Sequence, residues 1–150
     1  MQTKKLKLLT TLLFLLPLCV ALLGAGCDDD DVPQSVLNGK WILLGFGNDS
    51  TGEYTSEPDS EPKSSYVIFD NGKLVAYSVT NETYDIYYNV NGNVIDITDK
   101  GGRTKIGGDT EWGQQFLNLI IKIYEFEIKE DELKLYYEDQ NYMKLKKETK

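Results

Sequence analysis

The sequence predicts a mainly β domain: an antiparallel, barrel-like sheet of about eight strands with one α-helix between strands five and six. Three observations predict it. Two alternating stretches, YVIFDNGKLVAYSVT (66–80) and YDIYYNVNGNVIDIT (84–98), each carry an Asn-Gly dipeptide at their middle. That dipeptide favours the positive φ of a tight hairpin turn. In EWGQQFLNLIIKI, Trp112, Phe116, Leu119, Ile120 and Ile123 recur at helical spacing and form one apolar stripe, interrupted only by Gly113.

Taken in order, the chain of 150 residues opens with Lys4, Lys5 and Lys7, then an almost unbroken apolar run from Leu8 to Leu23. Crossing a bilayer takes roughly 20 residues, and this run spans only 16, with Pro17 inside it. A basic start, a short apolar stretch and small residues before Cys27 are the grammar of an export signal, 1–26, excluded from fold reasoning. The residues Leu23-Gly24-Ala25-Gly26-Cys27 resemble a lipobox, in which Cys27 takes a diacylglycerol on its thiol. Gly24 stands where that pattern usually has Leu, and Leu23 sits one place earlier. An ordinary signal-peptidase site, leaving a free Cys27, is the alternative.

Asp28, Asp29, Asp30 and Asp31 follow directly. Four like charges in a row repel one another and stay solvated, so 27–36 reads as a lipidated acidic tether. A calcium site does not suit the run: adjacent side chains on an extended chain point opposite ways, and no glycine-turn loop follows. Loss of the signal leaves 124 residues and moves the formal charge from −8 to −11. Such a surface repels phosphates, which excludes nucleic acid as an expected partner. Cys19 lies in the signal, so the exported domain has Cys27 alone and no internal disulfide. Histidine is absent, which removes the commonest general base and metal ligand.

A single β domain is expected over 37–147. NGKWILLGF (38–46) is its first strand, buried wholly or partly on both faces. GNDSTGEYTSEPDSEPKSS (47–65) reads as a long mobile loop, since Pro58 and Pro62 oppose regular pairing. In the second hairpin, Tyr84, Ile86, Tyr88 and Val90 are expected on one face, with Asp85, Tyr87 and Asn89 on the other. DKGGRTKIGGDT (99–110) is a glycine-rich connection that lacks the Lys-Ser/Thr pair or βαβ setting of a phosphate cradle. Thr110 or Asp109 can cap the helix that follows. Tyr124, Phe126 and Ile128 then alternate with Glu125, Glu127 and Lys129, and LKLYY and NYMKLKK complete the strands.

Leu37-x-Gly39-x-Trp41, the Asn71-Gly72 strand pair, Thr80-Asn81 before a Tyr-rich strand, the helix holding Glu111 and Phe116, and Tyr124-x-Phe126-x-Ile128 occur in an order that resembles the META/HslJ-like domain. The resemblance covers most of 36–147 and implies a small β-barrel-like sheet with a helix across it, secreted or lipid-anchored, without a catalytic site. Val79-Thr80-Asn81 replaces the Gly-Cys-Asn often found there, and 47–65 looks inserted. The endings at 134–137 and 141–145 look like those of Bacteroidota lipoproteins, whose Cys-Asp tags direct surface export. This tilts the expected location to the outer membrane, surface-exposed, with a periplasm-facing location as the alternative. Gly39-x-Trp41 also opens lipocalin-like barrels, but those place their helix after the last barrel strand.

For chemistry, Tyr77, Tyr87 and Tyr88 form the candidate binding face, since exposed aromatics stack on sugar rings or grip a partner. Ordinary β packing is the competing reading of all three. Asp85, Asp96, Asp99, Asp109 and Glu111 are the candidate catalytic acids, but 24 acidic residues always offer pairs. The expected function is therefore a non-enzymatic, lipid-anchored binding or assembly module without cofactor or metal. Its partners are the membrane, through acyl chains on Cys27, and another envelope protein or glycan. A lipocalin-like carrier of a small apolar ligand is the alternative.

Overall fold

The computed structural model describes residues 33–149. The expected export signal (1–26), Cys27 and the aspartates Asp28–Asp31 lie outside the described residues. A 3-10 turn, Gln34–Leu37, leads into β1 (Gly39–Asn48), β2 (Tyr54–Ser56), β3 (Tyr66–Asp70), β4 (Lys73–Tyr77), β5 (Thr83–Asn91) and β6 (Val94–Arg103). Helix α1 (Glu111–Leu119) runs on into a 3-10 turn, Ile120–Lys122, before β7 (Glu125–Lys129), β8 (Glu132–Glu138) and β9 (Asn141–Lys147).

All pairings are antiparallel, in the order β2-β1-β3-β4-β5-β6-β7-β8-β9, and β1 also pairs with β9, so the sheet closes into a ring. The fold class is the expected one, with a ninth strand. That strand, β2, lies inside the segment expected to be a loop, so the helix falls between strands six and seven. β2 is possible because Gly45 and Gly47 present no side chains on the outside of β1. The Tyr54 ring lies over Gly45, and Tyr142 of β9 lies over Gly47. The two prolines act as expected only beyond Ser56, where the pairing stops.

Trp41, Leu43, Val67, Phe69, Leu74, Ala76, Ile86 and Leu145 point into the ring and are fully buried. Strict alternation along β1 would turn Phe46 outward. A register shift between Leu43 and Gly45 against β9 adds one residue, and Phe46 turns inward against Trp112, ring centroids 4.6 Å apart. β1 is therefore fully buried along its inner face and partly buried outside, where Ile42 and Leu44 are half-covered and Gly45 lies under Tyr54.

The first hairpin turns on Asn71 and Gly72, both at positive φ. In the second, Asn91 already pairs with Val94, so the turn residues are Gly92 and Asn93, one place later than expected. Positive φ falls on Gly92 alone of the two, the glycine-first arrangement of a II′-type turn. Upstream, Asp85 adopts φ +55 and breaks the alternation. Thr83 and Ile86 point in while Tyr84 and Asp85 both point out, so Tyr84 leaves the face expected for it.

Thr110 caps α1, its hydroxyl accepting from the Gly113 N–H at 3.0 Å. Gly113 lets the helix approach β4, since a Cβ there would come within 2.8 Å of the Ser78 Cβ. The buried face also includes Leu117, which widens the i, i+4, i+8 stripe of Trp112, Phe116 and Ile120 on the side of Gly113.

Candidate functional site

The expected tyrosine face divides. Tyr88 is 1% exposed, edge-on to Phe69 at 5.4 Å, so it belongs to the core and not to a binding surface. Burial pushes its hydroxyl pKa up. Tyr87 is 44% exposed on the outside, with Lys73 5.6 Å from its ring. Tyr77 also faces out but stacks on Tyr66 at 4.7 Å, and Lys40 Nζ lies 4.2 Å from the Tyr66 ring centre. Tyr87 lies on the outer face of β5 and Tyr88 on the inner one, so the two do not share a face.

Further tyrosines build a second outer cluster that sequence reasoning passed over. The Tyr136 hydroxyl donates to Asp49 at 2.7 Å, and Lys134 Nζ donates to the same carboxylate at 2.7 Å. Lys134 also sits 4.2 Å from the Tyr142 ring centre. Burial and the bond to Asp49 push the Tyr136 hydroxyl far up, while hydrogen bonds from Lys134 and Tyr136 hold Asp49 below the usual carboxylate range. These groups satisfy one another and brace β8 against the turn after β1.

At the N-terminal end of α1, Asn81 gathers a polar clamp. Its Nδ2 donates to Asp109 Oδ2 at 2.9 Å and to the Ile106 carbonyl at 3.0 Å, while its Oδ1 accepts from the Ile106 N–H at 2.7 Å. Ser78 Oγ donates to Asp109 Oδ2 at 2.7 Å. Burial alone would raise the Asp109 pKa, but the bonds from Ser78 and Asn81, helped by backbone N–H groups of Thr80 and Thr110, bring it below the usual value. A carboxylate held charged in this way is a poor proton donor near neutral pH. Of the five candidate acids, only Asp109 enters such a cluster. Asp85 pairs with Lys73 at the surface, Asp96 and Asp99 are exposed on β6, and Glu111 is exposed in the first turn of α1.

The ring is least complete between β6 and β7. A single ladder pair, Val94 with Glu125, joins them, where seven pairs join β1 to β9. Because the β5–β6 turn lies at Gly92-Asn93, β7 runs on past the start of β6. At that overhang lies a groove of about 540 Å³. Val36, Phe126 and Ile128 form its apolar side; Glu125, Glu127 and Tyr136 form its polar side. Glu125 accepts from Asn93 Nδ2, and Glu127 lies 3.3 Å from the Tyr136 hydroxyl, which donates to Asp49. Val94 and Tyr124, 50% and 39% exposed, flank the joint. The alternation of Tyr124 to Lys129 was visible in the sequence. The missing partner strand was not, because it depends on where α1 returns the chain.

No family model matches the sequence. Two solved structures are similar to the chain. The NMR structure of a protein from Burkholderia xenovorans has a TM-score of 0.61 at 16% identity, covering 84% of this chain and 94% of that one. The crystal structure of a DUF4847 family protein from Bacteroides vulgatus has a TM-score of 0.50 at 14% identity, covering 76% and 95% respectively. At such identities the likeness shows the fold alone. Over 72 residues, 47% of this chain, the sequence is 32% identical to the tRNA3(Ser)-specific nuclease WapA of Bacillus spizizenii, of whose length the chain spans 3%.

Proposed function

We propose that the protein is a lipid-anchored envelope module that binds another envelope component at its outer surface and catalyses no reaction. The observation that carries this reading over the carrier is the ring's interior. Trp41, Phe69, Tyr88 and Phe116, each at most 1% exposed, fill the space that an apolar ligand would need. Apolar lining reachable from outside is found in the groove beside β7, at Val36, Phe126 and Ile128. The anchor rests on the export signal and Cys27, and the aspartate run serves as a tether at the outer membrane. The META/HslJ-like assignment rests on the order of motifs between 36 and 147.

The match to a nuclease is the observation that favours an enzyme. Phosphodiester cleavage needs a general base or a cluster of metal-holding carboxylates. The chain has no histidine, and among the described residues no three acidic or cysteine side chains converge as such a cluster. The segment matched spans too little of that protein to carry its activity across.

Membrane fractionation of the Cys27→Ala chain, expressed with its signal, tests the anchor. The expected result is release from the membrane fraction; unchanged membrane association rules out lipidation at Cys27.

A further inference from the structure

We infer that the groove beside β7 takes an extended peptide bearing basic side chains, which adds to β7 as one more strand. The inference rests on the surface-binding reading above and names the partner's chemistry. Three features lead to it.

The first is backbone polarity. The Phe126 N–H donates to the Asn93 carbonyl across the seam at 2.9 Å. In a strand, residues two apart turn their N–H and C=O groups to the same side. Ile128 therefore presents its backbone groups to that side too, beyond the Gly92-Asn93 turn where the neighbouring strand has ended. An exposed strand edge of this kind pairs with an incoming extended segment.

The second is charge. Glu125 is met by the neutral amide of Asn93, and Glu127 lies 3.3 Å from the Tyr136 hydroxyl, whose single proton goes to Asp49. Lys134, directly opposite Glu127 on β8, is already engaged by Asp49. Two carboxylates thus line the groove without a cation in ion-pair contact among the described residues. The segment preceding Val36 carries Asp28–Asp31 and would be repelled, which argues against the chain's own tether as occupant. A partner with lysine or arginine at alternate positions complements the site.

The third is apolar surface. Phe126 and Ile128 line the groove from the face of β7 opposite Glu125 and Glu127, and Tyr124, 39% exposed, precedes them; Val94, paired with Glu125, lies on the glutamate face. An extended peptide has two faces, and alternate apolar residues would lie against this side while the basic ones meet the glutamates.

The test uses the full chain in detergent micelles, which makes it independent of where the protein is anchored. Three fluorescein-labelled octapeptides are compared by anisotropy: alternating lysine and valine, the same with glutamate for lysine, and a lysine–valine peptide with prolines at alternate valines. Binding of the first should be at least about tenfold tighter than of the other two, since charge and N–H donors are both required. Glu125→Gln with Glu127→Gln should weaken it about tenfold. Saturating peptide should slow exchange of the Ile128 amide about tenfold, as expected for a newly paired strand. Absence of binding, equal binding of the three peptides, indifference to the two glutamines, or an unchanged Ile128 amide would each overturn the inference. Any of these failures leaves the anchored-module reading standing, and the Cys27→Ala fractionation decides that separately.

Discussion

The ring is closed twice, by different means. Between β1 and β9 the closure is a seven-pair ladder, with Trp41, Leu43 and Phe46 packed from one strand and Met143 and Leu145 from the other. Between β6 and β7 there is one pair, and the rest of the gap is spanned by α1 and by side chains. Arg103 reaches Asn118 at 2.7 Å, and the Asn81 clamp holds the connection before the helix. Backbone pairing repeats at every residue, so the first closure is stiff along its length. The second depends on a few side chains and leaves polar backbone, apolar lips and uncompensated carboxylates accessible. A small barrel can place a binding edge there without weakening its core.

The largest test of this contrast compares one side chain from each closure. Leu145 is fully buried on β9, and Leu145→Ala should destabilise by about 2–5 kcal/mol, the sum of lost transfer energy and a cavity. Ile128 on β7 is half-buried beside the groove, and Ile128→Ala should cost only about 1 kcal/mol. Chemical denaturation monitored by tryptophan fluorescence gives both values. Equal losses would mean that the two closures bear on stability alike.

Next in size is the clamp. Asn81→Ala removes the bonds to Asp109 and Ile106 and leaves part-buried partners unpaired, at a cost of about 1–3 kcal/mol. Amide exchange should accelerate at the β6–β7 joint and stay unchanged along β1 and β9. Uniform acceleration would show that the clamp supports the whole barrel rather than its loose side.

Why the two closures were so unequally legible in the sequence follows from their physics. Hairpins are local: Asn71-Gly72 fixed its turn, and helical spacing with Thr110 as cap located α1. The helix stripe omitted Leu117, which alternates poorly on a wheel but packs once Gly113 draws the helix close. β2 was hidden because its own composition is polar, and its cause is the Gly45-Phe46-Gly47 triplet across the ladder. Glycines spaced two apart on one strand face were the available signal for an overlying aromatic. Alternation already set Tyr88, with Ile86 and Val90, on the face opposite Tyr87, as the structure has it, whereas Asp85 at positive φ displaced Tyr84. The groove depends on chain length between two turns and on the path of α1, neither of which any short pattern contains.

A smaller effect separates charge from packing within the clamp. Asp109→Asn keeps the shape but not the charge, and should cost about 1 kcal/mol at pH 7. The folded protein holds the Asp109 pKa below its unfolded value, so its ionisation contributes stability that is fully present above the unfolded value. That contribution disappears as pH falls through the lowered folded pKa. The gap between Asp109→Asn and the native chain should therefore narrow in acid, read from denaturation midpoints at pH 7 and pH 3. A gap that persists unchanged would assign the loss to geometry alone.

The smallest effect on stability is expected at the groove itself. Glu127 has only the long 3.3 Å contact with the Tyr136 hydroxyl, whose proton goes to Asp49 at 2.7 Å. Glu127→Gln keeps the side chain's shape and removes a carboxylate that has no cation in ion-pair contact, since Lys134 opposite is engaged by Asp49. Its stability change should stay within about 0.5 kcal/mol, and removing an uncompensated negative charge from an acidic chain gives it no reason to be unfavourable. Substitutions of the inward side chains of β1 and β9 act on folding first, because Trp41, Leu43, Phe46, Met143 and Leu145 are all core. At the β6–β7 joint binding and folding separate, so this variant should fold like the native chain while losing affinity for the lysine–valine peptide. A loss of stability comparable to Asn81→Ala would place Glu127 among the groups that hold the ring together and remove the distinction between the two closures.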